Sequence, residues 1–205
     1  AQLEAWLMEF IDGHPIFDGR QYRHKDAELL EEDLRTATFL VREGDDQFRF
    51  AHSSLQEYFL AAYLFRALEE RRPGDWAIPS VSIETLDFLG QMLQEQPNVS
   101  DGLQALRDTY RPRASELALR YFVLAFQKNY PAPPAAGFQL ARADLFEFEA
   151  DFGDRADFLD FSHADFSGAR LENSFWRGCR LTGAKFVEAR AARSEWHDCD
   201  LRDVD

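Results

Sequence analysis

From Leu159 to Asp203 a large apolar residue recurs at nearly every fifth position, and a small residue precedes it by two. The central residues are Phe161, Phe166, Leu171, Trp176, Leu181, Phe186, Ala191, Trp196 and Leu201, of which only Ala191 is not large. Eight of the nine preceding residues are small, and Leu159 is the exception: Leu159, Ala164, Ala169, Ser174, Cys179, Ala184, Ala189, Ser194 and Cys199. Because residues two apart in an extended segment point the same way, each five-residue unit directs two side chains inward and then turns.

Four such units predict a four-sided coil of 20 residues, with coils stacked at about 4.8 Å so that backbone groups pair from coil to coil. At an offset of 20 residues, side chains of similar size and type stack on one another. The predicted columns are Phe161 with Leu181 and Leu201, Phe166 with Phe186, Trp176 with Trp196, Ser174 with Ser194, and Cys179 with Cys199. Outward residues support the register, since Asp160, Arg180 and Asp200 alternate in charge and Asp165 faces Lys185.

The pattern resembles the pentapeptide-repeat family, whose consensus is Ala-(Asp/Asn)-Leu-x-x, in residues 164–166 and 184–186. The resemblance implies a right-handed quadrilateral β-helix. Residues 138–158 hold looser copies whose spacing drifts to seven and six, and we expect them to form a distorted first coil or a cap. These copies are Ala143-Asp144-Leu145, Ala150-Asp151-Phe152 and Ala156-Asp157-Phe158.

Residues 1–130 show mainly helical spacing of apolar residues, interrupted by one predicted β-hairpin. Helical stripes are formed by Leu3, Trp6, Leu7, Phe10 and Ile11, and by Leu29, Leu30 and Leu34. The hairpin consists of a strand over 38–42, a turn over 43–46 and a strand over 47–50. Ser53 and Gln56 have capping-box spacing and predict a following helix. Helix, hairpin and helix in this order indicate a winged-helix unit.

Three more helices are predicted to begin near Ser82, Ser100 and Arg113. Their core candidates are Leu86, Leu89, Leu93, Leu103, Leu106, Leu117, Tyr121 and Leu124. Residues 131–137 contain three prolines and end in a glycine, and they predict a linker between a region 1–130 and a β-helix over 138–205. The predicted fold class is therefore α+β multidomain, with a mainly α-helical N-terminal region.

Charge and cysteine content restrict the partners and the compartment. The chain has 37 acidic and 23 basic residues and a net charge of −14, which disfavours nucleic-acid phosphates and anionic membranes as partners. Two cysteines cannot form a disulfide framework, and no signal peptide or apolar run of roughly 20 residues is present. We therefore expect a cytoplasmic protein. A start at Ala1 without methionine leads us to expect a fragment of a longer protein.

Two clusters of reactive residues have structural explanations. Cys179 and Cys199, near His197 and Asp198, suggest a metal site, but both cysteines occupy small inward positions, so we predict no metal. Ser53 and Ser54 beside His52 suggest a nucleophile and base, but no orienting acid or oxyanion motif accompanies them, and helix capping explains a serine there. We expect no catalysis by this chain.

The segment from Phe48 to Leu64, FRFAHSSLQEYFLAAYL, resembles the winged-helix region of NACHT-type signalling ATPases of the STAND class. In outline that region reads Phe-x-His-x-Ser-x-Gln-Glu-Tyr-x-Ala-Ala-x-Tyr-Leu. The resemblance covers residues 39–65 and implies that His52 contacts the β-phosphate of bound ADP and holds the inactive state. It also implies that the helices after Pro73 connect an ATPase core to a sensor.

The chain has no Gly-x-x-x-x-Gly-Lys-(Ser/Thr) phosphate loop, so ATP or ADP with Mg²⁺ is expected in an upstream domain of the full-length protein. The resemblance implies a ligand-sensing part of a switch, in bacterial antiviral defence, with a protein ligand and ligand-induced homo-oligomers. The alternative is a stand-alone module of the DNA-mimicking, topoisomerase-binding type. Against it, residues 159–203 hold eight acidic and seven basic residues and are nearly neutral.

Overall fold

The structure is a computed structural model that describes residues 40–42, 48–50, 52–79, 81–153 and 157–205. The chain divides into two compact units, Ala1–Gln56 and Glu57–Asp205. The boundary falls inside helix α1 (Ser53–Glu69). The described part of the first unit therefore consists of a hairpin and the first residues of that helix.

The hairpin of the first unit is formed by β1 (Leu40–Arg42) and β2 (Phe48–Phe50). The two strands pair antiparallel, with Leu40 opposite Phe50, which confirms the predicted hairpin. Helix α1 follows and begins at Ser53, the residue expected to cap it. The predicted helical stripes within residues 1–35 lie outside the described residues, so the complete winged helix stays a prediction.

Helices pack around one apolar core at the start of the second unit. After α1 come a 3₁₀ turn (Pro73–Trp76) and α2 (Ile83–Glu95), whose N-terminal cap is the predicted Ser82. The Ser82 hydroxyl accepts a hydrogen bond from the Thr85 N–H at 3.2 Å, which satisfies one free donor of the first turn. All eight core candidates are buried, which confirms the helical spacing as the signal of a common core.

The helix expected to begin near Ser100 differs from the prediction. Residues Pro97–Leu103 form a 3₁₀ segment, and the α-helix, α3, covers only Gln104–Asp108. The Ser100 hydroxyl donates back to the Pro97 carbonyl at 2.7 Å, and such local bonds compete with regular helix. Gly102 meets α1 so closely that a Cβ there would lie 2.8 Å from the Leu68 carbonyl oxygen.

Helix α4 (Ala114–Lys128) is buried on nearly all sides, because helices pack on one side and the β-helix packs on the other. Its start near Arg113 was predicted correctly. On the helical side, Tyr121 lies edge-on to Trp76 with ring centroids 6.5 Å apart. The Tyr121 hydroxyl donates to the Pro131 carbonyl at 2.9 Å, which ties the start of the predicted linker to α4.

The β-helix has four parallel ladders in each turn, and two of these ladders are regular β-sheets. One sheet contains β3 (Glu149–Asp151), β5 (Phe175–Arg177) and β7 (Glu195–His197). The other contains β4 (Leu159–Asp160) and β6 (Cys179–Arg180). Isolated bridges supply the two remaining sides, such as Asp165 with Lys185 and Arg170 with Arg190. From Leu159 onward every pairing has the predicted offset of 20 residues.

Aromatic columns fill the interior as the sequence predicts. Trp176 and Trp196 stack with centroids 5.2 Å apart and planes 6° apart, and Phe166 stacks on Phe186 with 5.1 Å and 6°. Each tryptophan donates its indole N–H to the serine two residues before it, Ser174 at 2.9 Å and Ser194 at 3.0 Å. The serine hydroxyls therefore supply the hydrogen-bond acceptors that the indole N–H groups of the tryptophan column need.

The first coil is distorted, which was one of the two expectations, but its register differs from the one that the sequence predicts. Glu149 pairs with Phe175, 26 residues later, because seven residues separate β3 from β4 along the chain, where the single residue Gly178 separates β5 from β6. The copy assigned to Ala150-Asp151-Phe152 is out of register: Ala150 takes the central position beside Trp176. Phe148 occupies the position that holds a small residue in the regular coils, and its ring lies 5.1 Å from that of Trp176. Compared with the regular coils, the large and the small residue have therefore changed places.

A helix covers the open end of the first coil. The Phe122 ring of α4 lies 5.2 Å from that of Phe138, and Phe126 lies 5.0 Å from Phe152. Of the two roles expected for residues 138–158, they form the coil, and α4 forms the cap that a solenoid end requires.

Candidate ligand-binding surfaces

His52 lies directly before α1 and is exposed. Its carbonyl accepts the Leu55 N–H at 3.2 Å, so the backbone of His52 forms part of the first helical turn. Ser53 and Ser54 are exposed within that turn. The ADP-sensing role of His52 stays a prediction, since it depends on an ATPase domain outside this chain.

Cys179 and Cys199 are neighbours on adjacent coils, as the stacking register predicts. The Asp200 N–H donates to the Cys179 carbonyl at 2.9 Å. Cys179 is fully buried and Cys199 is half-buried. A hydrogen bond from the Cys179 thiol lowers the pKa of Cys199 to about 7, and the same bond together with burial raises the pKa of Cys179.

No metal site accompanies the two cysteines in the part of the chain that the structure describes. His197 and Asp198 are exposed, and the outward position of His197 is the predicted one. Among the described residues, no group of three or more histidine, cysteine, aspartate or glutamate side chains could hold a metal ion.

The outer face of the sheet β3-β5-β7, which we call the sheet face, combines aromatic and charged side chains. The Phe175 ring stacks on the His197 ring at 5.2 Å, and the Arg177 guanidinium lies 5.9 Å from the Phe175 centroid. Arg177 also binds Asp151 through two hydrogen bonds of 2.7 and 2.6 Å. These bonds hold the pKa of Asp151 below its ordinary value and fix the arginine in place.

The neighbouring side of the coil has a similar composition and different partners. Arg170 lies 4.4 Å above the Phe146 ring and forms an ion pair with Asp144 at 3.1 Å. Arg190 reaches Glu172 at 3.7 Å. Both signs of charge alternate here as on the sheet face, so neither side is a continuous acidic surface of the kind a DNA mimic needs.

The geometry of this region identifies its family. The coils stack with a five-residue period, direct small and large residues inward and form parallel ladders on four sides. Residues 160–203 match pentapeptide repeats, in 8 copies. The pentapeptide repeats therefore account for the regular coils, whereas the first coil lies outside the match. The five-residue pattern does not extend there for two reasons. Phe148 and Ala150 reverse the usual order of small and large residues, and seven residues separate β3 from β4.

No curated protein matches the chain. The comparisons give no evidence for the resemblance of residues 39–65 to NACHT ATPases, which stays a prediction. Within the described residues, none of the helices combines the length and apolar character needed to cross a membrane.

Proposed function

We propose that this chain is a protein-binding module whose pentapeptide-repeat coils present the sheet face to a partner. The observation that carries the proposal is the cluster of Phe175, Arg177 and His197 on the two paired strands β5 and β7. Stacking and ion pairing hold these side chains in place before a partner arrives, which lowers the entropic cost of binding. Aromatic residues and arginine are also the types that contribute most to protein interfaces.

The sheet face can be tested with two matched phenylalanines. We expect Phe175→Ala to weaken binding of a captured protein partner roughly tenfold or more, since truncated aromatic anchors cost affinity of this order. Phe146→Ala is the control, because Phe146 is also an outward aromatic ring beneath an arginine. Binding would be measured by surface plasmon resonance with the purified chain. Equal affinity of both variants and the wild type would exclude the sheet face.

We propose further that this module is the ligand-sensing part of a NACHT-type ATPase switch in the cytoplasm, acting in bacterial antiviral defence. The hairpin, His52 and α1 follow one another in the order that the family resemblance implies. Ligand binding at the coils would release the winged helix from ADP in an upstream domain and permit exchange for ATP with Mg²⁺ and homo-oligomerisation. In this proposal the chain itself catalyses nothing.

The switch is tested in the full-length protein. We expect the purified protein to carry ADP, and His52→Ala to lose most of it, because the imidazole would no longer contact the β-phosphate. Bound nucleotide would be released by denaturation and quantified by chromatography. His163→Ala, an exposed histidine of the coils, is the control. A full-length protein without a phosphate-binding loop, or equal ADP content in His52→Ala and wild type, would contradict the switch.

A further inference from the structure

A cleft of about 490 Å³ lies between α4 and the first coil, and three arginines line it. Arg113 and Arg120 come from the start and the middle of α4, and Arg142 comes from the first coil. The apolar part of its wall is formed by Ile78, Pro79, Val81, Pro112 and Leu117. A cleft of this volume with a few converging charged groups has the character of a ligand site.

Among the described residues, the three arginines lack carboxylate partners. Across the described residues, no carboxylate lies within ion-pair distance of any of them, whereas Arg170 and Arg177 of the same coils do have partners. All three are exposed. In a chain with 37 acidic residues, this cleft differs in sign, because its three arginines outnumber the two carboxylates that also line it, Glu116 and Asp144.

The carboxylates of the cleft are engaged elsewhere. Glu116 accepts hydrogen bonds from the Tyr110 hydroxyl at 2.8 Å, the Arg113 N–H at 2.8 Å and the Asp144 N–H at 2.9 Å. Asp144 is paired with Arg170. Glu116 therefore joins α4 to the first coil, and the guanidinium groups remain available to a ligand.

A second cleft of about 390 Å³ continues the first, since Val81 and Arg120 line both. Apolar side chains form most of its wall, and Glu147 and Glu149 lie at the coil. Both glutamates are exposed, and in the part of the chain that the structure describes neither has an ion-pair partner. The combined groove is positive in the first cleft, apolar along its wall and negative in the second.

One face of α4 forms the floor of this groove. The lining residues are the N-cap Arg113 and, within α4, Glu116, Leu117, Arg120, Val123, Leu124 and Gln127, which recur at spacings of three and four. From Arg113 to Gln127 the helix rises about 21 Å, at about 1.5 Å per residue. An extended chain of about six residues covers that length, at about 3.3–3.6 Å per residue.

We propose that this groove binds an extended protein segment of about six residues. Its acidic side chains would meet Arg113 and Arg142, its central apolar residues would pack against α4, and its basic side chains would meet Glu147 and Glu149. The inference rests on the proposed protein-binding function and names a second surface for it. A nucleic acid is excluded as occupant by the two glutamates, and a small anion would leave the second cleft empty.

The probe is a fluorescein-labelled peptide, Glu-Glu-Val-Leu-Val-Lys-Lys, titrated with the purified chain and followed by fluorescence anisotropy. We expect Arg113→Gln combined with Arg142→Gln to weaken binding roughly tenfold or more, because charge-assisted hydrogen bonds are lost. Arg193→Gln is the matched control. Arg193 is also exposed, lies in the last coil, and shares the positive φ of Arg113 and Arg142, at 60° against 66° and 67°.

A second variant reverses the other end of the groove. Glu147→Lys combined with Glu149→Lys should bind Glu-Glu-Val-Leu-Val-Glu-Glu more tightly than the original peptide, which a variant that fails to fold could not do. Failure of the wild type to bind the original peptide, or equal binding by the Arg113→Gln, Arg142→Gln variant, would overturn the groove. The Phe175→Ala test would still decide the proposed function separately, since Phe175 lies outside the groove.

Discussion

Replacing Trp176 by alanine is expected to lower the free energy of unfolding by about 3–5 kcal/mol, a typical cost for removing a buried aromatic residue. Trp176 is fully buried, and the rings of Phe148, Phe161, Phe166 and Trp196 surround it at centroid distances of 5.1–6.0 Å. Removal would leave a cavity that touches two coils and would strand the Ser174 hydroxyl. Urea denaturation followed by circular dichroism measures the loss.

The control for this prediction is Trp196→Ala in the next coil. Trp196 has the same serine partner geometry and the same column, but it is only half-buried, so we expect it to cost clearly less than Trp176→Ala. Equal losses for the two variants would mean that the column does not gain stability from coils on both sides.

Replacing Phe122 by alanine is expected to cost about 3–5 kcal/mol as well, and to destabilise the coils together with the helices. Phe122 is 2% exposed and packs edge-on against Phe138 of the first coil. A repeat array is stable only when its terminal core is covered, so a weaker cap should lower the stability of the coils behind it. Hydrogen exchange read separately for α4 and for residues 159–203 measures both effects.

The outward residue Phe146 supplies the comparison for Phe122. Its ring is 38% exposed, so Phe146→Ala should leave hydrogen exchange of α4 and of the coils nearly unchanged. The cap assignment would be wrong if Phe122→Ala increased exchange in α4 while residues 159–203 kept the protection of the wild type.

The regular coils could be predicted from the sequence because their periodicity is local. A five-residue spacing places Trp176 under Trp196 and Cys179 under Cys199 without any knowledge of distant contacts, and the structure has both pairs. Helical spacing likewise identified the core of α2 and α4, since an amphipathic helix shows its buried side in its own residues.

The first coil and its cap could not be predicted in the same way. Phe148 and Ala150 fill the volume that a small and a large residue fill elsewhere, so the space is conserved while the pattern of sizes is reversed. Nothing local in α4 indicates that Phe122 covers the end of a coil. Packing between distant segments decides both features.

The groove arginines are also invisible to sequence reasoning. Arg113 and Arg142 are 29 positions apart and belong to a helix and a coil, so no motif joins them. The signal becomes visible only when the fold shows that neither has a carboxylate partner among the described residues, and that both face one cleft.

The long corner of the first coil has a consequence for engineering. Seven residues separate β3 from β4, where a single glycine separates β5 from β6, yet the pairings on either side of the corner are kept. Corner length is therefore decoupled from coil register. A designer could insert a foreign recognition loop between β3 and β4 while keeping both pairings. A method that counts coils by an even five-residue spacing will miss coils such as this first one.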